Sequence, residues 1–188
     1  LHEDEIDDIL FLARTNDFAE LDVFFSECAR KYACSKGAVL TGAVDEMSGN
    51  TALHYAAANG HMETIESILS TLAAGASAGG FDSHVHAARQ RAFINRPNEA
   101  GNTALHWASL NGHIKAAQRL VAAGADATLK NAVGHDAVFE AELNGKSEVV
   151  GWLLAHAAGL EPGAGGAAQD SEGDAPQGNG DANGAESK

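Results

Sequence analysis

The sequence predicts an all-α solenoid, four helix-turn-helix repeats stacked side by side with an enlarged loop between the second and third. Two observations carry this expectation. Residues 49–61 read GNTALHYAAANGH and residues 101–113 read GNTALHWASLNGH. Such self-similarity at long range is the mark of a repeat protein, in which no single unit can bury its apolar side alone. Behind each copy the same stripe recurs: Ile65, Ile68 and Leu69 return as Ala117, Leu120 and Val121, and again as Val150, Leu153 and Leu154. That i, i+3, i+4 spacing is one face of an amphipathic helix. With 188 residues and 45% hydrophobic content, the chain can bury one sizeable core.

Taken in order, the first unit opens near Asp7. Aligning Ala13 with Ala57 sets Leu21 against Ile65 and Phe24-Phe25 against Ile68-Leu69. The second opens at Thr51 and the third at Thr103; the fourth opens at Asp136 and reads GHDAVFEAELNGK through its first helix. The openings lie 44, 52 and 33 residues apart. Against a unit of about 33 residues, the first two connections carry roughly 11 and 19 extra residues. Most of the second excess is SAGGFDSHVHAARQRA, residues 77–92. Its glycines, with Gly79-Gly80 as a hinge before Phe81, predict a projecting loop. The repeat domain is expected to span residues 1–158. The Gly/Ala/acidic segment 159–188 has no aromatic or branched apolar residue after Leu160, so it is expected to be disordered.

Each residue of the pattern has a mechanical role. Thr51 and Thr103 stand where a helix begins and can cap it. Leu53 and Leu105 point into the stack. Ala56, Ala57, Ala108 and Ala141 let paired helices approach closely, and Gly60, Gly112 and Gly145 end the first helix. The spacing G-x-T-x-L-H-x-A-x-x-x-G-H resembles the ankyrin repeat, a family in which His54 and His106 would tie one unit to the next. Ala52, Ala104 and Ala137 replace the proline usual after the opening residue. In the fourth unit Asp136 replaces threonine and Phe139 replaces histidine; the acid can still cap, and an end unit is expected to be atypical.

The formal charge of −14 sits at the ends of the chain. Residues 1–27 hold nine acids against Arg14, residues 159–188 hold six against Lys188, and the stretch between is nearly neutral at −1. Phosphate would be repelled, so direct binding to nucleic acid is not expected; attraction to a basic partner is. No apolar run approaches the ~20 residues of a membrane span. The chain begins at Leu1 rather than Met, as a trimmed or processed chain would, and Glu3, Asp4 and Glu5 stand where a secretory signal would be basic. Cys28 and Cys34 have neither disulfide nor metal spacing and read as reduced thiols. Four of the nine histidines (His54, His61, His106, His113) occupy pattern positions, and the His84-x-His86 pair lacks a third ligand. No phosphate loop or nucleophile elbow is present. No catalytic, cofactor or metal site is therefore expected.

Within the ankyrin family, the segments TALHYAAANGHMETIESIL, NTALHWASLNG and above all GHDAVFEAELNGKSEVVGWLL resemble the fungal ankyrin-repeat chaperones dedicated to small-subunit ribosomal protein S-three. The likeness runs over roughly residues 6–157 and includes the enlarged second connection. It implies a non-enzymatic protein, monomeric when free, cytoplasmic and nuclear, that keeps a newly made basic ribosomal protein soluble and shielded until small-subunit assembly. The other reading of such a stack is an adaptor or inhibitor that occludes a kinase or transcription factor. In either case the binding surface is expected on the concave side lined by the first helices. Counting four, seven and eight residues from the openings of the second, third and fourth units gives Tyr55, Ala58 and Asn59, then Trp107, Leu110 and Asn111, then Glu140, Leu143 and Asn144. Trp and Tyr beside leucines in such a row mark a contact site. The carboxylates of Glu140, of Asp45 and Glu46 in the preceding turn, and of Asp4 and Glu5 would meet the partner's Lys and Arg.

Overall fold

The computed structural model describes residues 1–74 and 83–157. The tail from 159 onward, the Gly79-Gly80 hinge and Phe81 lie outside the described residues. Four helix pairs form the stack: α1 (Glu3–Thr15) with α2 (Phe18–Lys31), α4 (Ala52–Asn59) with α5 (Met62–Ala74), α7 (Ala104–Asn111) with α8 (Ile114–Ala122), and α9 (Ala137–Leu143) with α10 (Ser147–His156). The first helices α1, α4, α7 and α9 stand in one row, each packed on the next. The second helices form the row behind them. Between α2 and α4 lies α3 (Lys36–Gly42), and between α5 and α7 lies α6 (Ser83–Ile94).

Helices of eight residues such as α4 and α7 are too short to persist alone; burial holds them. Leu53, Ala56 and Ala57 of α4 and Leu105 and Ala108 of α7 are essentially inaccessible, as are Ile65 and Ile68 of α5 and Leu120 of α8. Each such leucine or isoleucine side chain contributes about 1.5–3 kcal/mol on leaving water. The first helices of repeats one to three end on a left-handed residue, Asn16, Gly60 and Gly112, all in register. Gly60 is required twice over. Its φ is +69°, and a Cβ there would lie 2.6 Å from Nδ1 of His113.

Three turns, or fingers, project ahead of α4, α7 and α9. Asp45, Asn98 and Asn131 each begin one and fold it with their own side chains. The Asp45 Oδ1 accepts from the Met47 and Ser48 N–H groups, Asn98 Oδ1 from Ala100 and Asn102, and Asn131 Oδ1 from Val133 and His135. Neighbouring fingers are laced together: the Glu99 N–H donates to the Ser48 carbonyl at 2.9 Å and the Ala132 N–H to the Ala100 carbonyl at 3.0 Å.

Two expectations need correction. The first repeat does not open at Asp7. Helix α1 begins at Glu3 behind His2, whose backbone N–H is taken by Glu5 Oε2 at 2.9 Å. Helix α1 runs at least one turn further ahead than α4, α7 and α9 do at the aligned position. The interior register is as expected, with Ala13, Leu21 and Phe25 all at 0% exposure. The insertion, in turn, is not all loop: residues 83–94 are helical, and Phe93 and Ile94 anchor the end of α6 in the core. The glycines of the insertion precede this segment, whereas HVHAARQRAFI holds alanine, arginine and glutamine, which favour helix.

Candidate functional site

The threonine–histidine pairs form the frame of the candidate binding face. Thr51 offers both its N–H (3.1 Å) and its hydroxyl (2.9 Å) to Nδ1 of His54. Because Nδ1 accepts the backbone N–H, the ring proton sits on Nε2, which donates to the Asn102 carbonyl at 3.0 Å. His106 repeats the arrangement on Thr103 and donates to the His135 carbonyl at 3.1 Å. His61 and His113 bind backwards, to the carbonyls of Arg14 (2.9 Å) and Ala58 (3.0 Å). Every repeat junction therefore carries at least one imidazole bridge. Burial drives the His54 pKa down to about 4 and lowers that of His106.

The face itself is the outward side of the first-helix row. Tyr55, Trp107 and Leu110 are half-buried, Ala58 likewise, and Leu143 stands 67% exposed. Asn59, Asn111 and Asn144 are exposed, each donating its amide to the carbonyl four residues earlier, those of Tyr55, Trp107 and Glu140. Each amide also carries an oxygen that can accept a hydrogen bond from a partner. The indole Nε1 of Trp107 is buried without a hydrogen-bond partner.

Three of the expected acids do other work. Glu140 is not a free carboxylate of the face; it is 7% exposed, and its Oε1 accepts from Asn131 Nδ2 at 2.9 Å and meets His135 Nδ1 at 3.0 Å. In the last described finger the polar groups of Asn131 and His135 close on Glu140, while Phe139 packs 4.2 Å from the His135 ring. Asp45 is likewise committed, its Oδ1 to its own turn and its Oδ2 to the Tyr55 hydroxyl at 2.9 Å. The turn's N–H of Ser48, followed by the Tyr55 hydroxyl, hold its carboxyl below the usual carboxylate range. Glu5 is a staple between α1 and the end of α2, taking Lys31 Nζ and the Tyr32 hydroxyl, both at 2.6 Å. Those two donors, Lys31 first, bring its pKa down to about 2. Asp4 and Glu46 are exposed and form no hydrogen bond or ion pair among the described residues.

The row also reaches further than expected. The offset that aligns Ala13 with Ala57 places Phe11 at the position of Tyr55 and Trp107, and Phe11 is 61% exposed. One turn earlier on the same side stand the exposed Asp7 and Asp8. Arg14 falls in register with Ala58, Leu110 and Leu143, and its guanidinium lies 4.5 Å over the Tyr55 ring. Phe11 and Arg14 lie four and seven residues after Asp7, so they were legible in the sequence; counting from the openings of repeats two to four alone leaves them out.

Comparison with known proteins agrees with this geometry. The family model described as ankyrin repeats (3 copies) matches residues 9–131 and 74–165. The ankyrin repeat-containing protein YAR1 of Saccharomyces cerevisiae is 39% identical over 155 residues, covering 82% of this chain and 70% of that protein. The E3 ubiquitin-protein ligase XBAT32 of Arabidopsis thaliana is 40% identical over 96 residues, 45% of this chain but 18% of the ligase. Among solved structures, the crystal structure of the yeast ribosomal protein Rps3 in complex with its chaperone Yar1 matches with a TM-score of 0.73 and 38% identity, over 86% of this chain and 98% of the other. Both the paired-histidine ladder and a repeat model that covers most of the sequence lead to one assignment: the chain belongs to the ankyrin-repeat family.

Proposed function

We propose that this protein is a chaperone of a basic ribosomal protein, small-subunit protein S3, which it holds shielded on its first-helix face before assembly. The observation that carries this reading is the likeness to the Yar1 chaperone over 98% of the chain matched in the Rps3 complex. The surface suits that partner. An aromatic and aliphatic strip of Phe11, Tyr55, Trp107, Leu110 and Leu143 runs beside the exposed carboxylates Asp4, Asp7 and Asp8 at one end and Glu46 in a finger. An amphipathic basic segment can lay its apolar side along the strip and direct its Lys and Arg to those acids. Binding of this kind calls for no catalytic group, and we assign none. A partner that enters the nucleus for assembly would take the chaperone through both cytoplasm and nucleus.

Affinity purification from cell extract tests the assignment. Recovery of S3 as the dominant partner is expected; recovery of a kinase or transcription factor instead would favour an occluding adaptor. The face is tested separately by Trp107→Ala combined with Leu110→Ser. Both side chains are half-buried on the row, so the double variant should weaken S3 binding by at least ~2 kcal/mol while its melting stays near that of the parent. Full affinity in the folded variant would move the site off this face.

A further inference from the structure

Arg14 is the wrong charge in the wrong place for a surface that attracts a basic partner. It is the single base among residues 1–27, against nine acids. It is exposed, yet among the described residues it forms no ion pair with any of those acids. Its guanidinium instead lies over the neighbouring repeat, 4.5 Å from the centre of the Tyr55 ring. That ring is well prepared for a cation. Its hydroxyl donates to the Asp45 carboxylate at 2.9 Å, which draws negative charge toward the phenol and fixes the ring's tilt, and an electron-rich face attracts a cation more strongly. Asp7 and Asp8 stand one turn before Phe11 on the side of α1 that also carries Arg14, exposed and without a hydrogen-bond partner among the described residues.

We infer that the Tyr55 ring face, with Asp7 and Asp8 exposed on the adjacent helix α1, is a subsite for an arginine or lysine of the bound partner, and that Arg14 occupies it in the free protein. This rests on the proposed use of the first-helix face. The physical reasoning is one of exchange. An exposed cation–π contact is weak, and Arg14 gains only that, whereas a partner's guanidinium arriving at the ring would gain the same stacking together with carboxylates that Arg14 leaves unused. Until then Arg14 covers an aromatic surface that would otherwise face water beside Phe11. A wrong partner with no cation at this point must leave Arg14 in place and meet its charge, so the residue also acts as a filter.

Calorimetric titration with purified yeast Rps3 tests the inference. Arg14→Gln removes the internal competitor and is expected to tighten binding about two- to fivefold, the equivalent of one exposed cation–π contact. Arg30→Gln makes the same change of charge at an exposed residue of α2 and is expected to have a smaller effect. In a Tyr55→Leu background, where the subsite is gone, Arg14→Gln should no longer tighten binding beyond the Arg30→Gln control. Should Tyr55→Leu melt early, Tyr55→Phe keeps the ring without the Asp45 bond and is expected to retain part of the effect. Unchanged or weaker binding by Arg14→Gln, or equal gains from Arg14→Gln and Arg30→Gln, would overturn the subsite. If Trp107→Ala with Leu110→Ser still weakens binding in that case, the face remains the site and only the role of Arg14 falls.

Discussion

Mild acid should unfasten the repeat stack through its two buried imidazoles. His54 is 2% exposed and its pKa is brought down to about 4, chiefly by burial, against 6.5 for a histidine in water. The Asn102 carbonyl, which Nε2 already serves, offsets only part of that cost. Protonation would also set a second N–H against the Thr51 N–H that Nδ1 now accepts. Between pH 6.5 and about 4 the unfolded chain therefore binds a proton that the folded chain refuses. Stability is full above that window, falls as pH drops through it, and levels off below it. At 1.36 kcal/mol per pH unit, the loss for His54 alone is on the order of 3 kcal/mol. His106, lowered for the same reason, adds to it in the same direction. Glu5 does not interfere, because its contribution is lost only as pH falls from about 4.5 toward 2. Urea unfolding followed by circular dichroism at pH 7.0, 6.0, 5.0 and 4.5 measures the slope. His54→Gln should be less stable at pH 7 and show a shallower slope. A parent midpoint that stays flat from pH 7 to 4.5, or an undiminished slope in His54→Gln, would refute the reasoning.

Other perturbations follow from the same geometry. His106→Ala should cost about 1–3 kcal/mol in urea unfolding, because the Thr103 N–H and the His135 carbonyl both lose a buried partner. Gly101 has φ +76° and a Cβ there would fall 2.5 Å from the Ala132 nitrogen, so Gly101→Ala should destabilise by at least ~2 kcal/mol. Gly134→Ala is its control: φ is +83° but nothing lies within 4 Å, and only the left-handed penalty of about 1 kcal/mol applies. Asp4→Asn, Asp7→Asn and Asp8→Asn together should slow association with S3 in stopped-flow measurements, and the difference from the parent should shrink as salt rises. Glu5→Gln belongs in a different set. It should leave the on-rate nearly as it was, since that carboxylate already faces Lys31 and Tyr32.

Much of this molecule could be read from residue order alone, and the reason is local periodicity. The recurrence of T-A-L-H and N-G-H at a fixed distance sets where helices start, where they stop and which side is apolar, because capping and amphipathic spacing act within a few residues. The Tyr55–Trp107 strip came from the same arithmetic. What sequence could not deliver was the state of each charged group. Glu140, Asp45 and Glu5 look alike in a list of acids, but one closes the end of the stack, one folds a finger and holds Tyr55, and one fastens α1 to α2. Each depends on donors from residues brought near only by folding, Asn131 and His135 for the first, Tyr55 for the second, Lys31 and Tyr32 for the third. The same holds for Arg14, whose resting place on Tyr55 is a contact across 41 residues. Residue order determined the repeat and its apolar stripes, since those follow from neighbours along the chain. Which carboxylates remain free to meet a partner was decided by the folding of each repeat on itself, finger against helix and helix against helix, which brings the competing donors within reach.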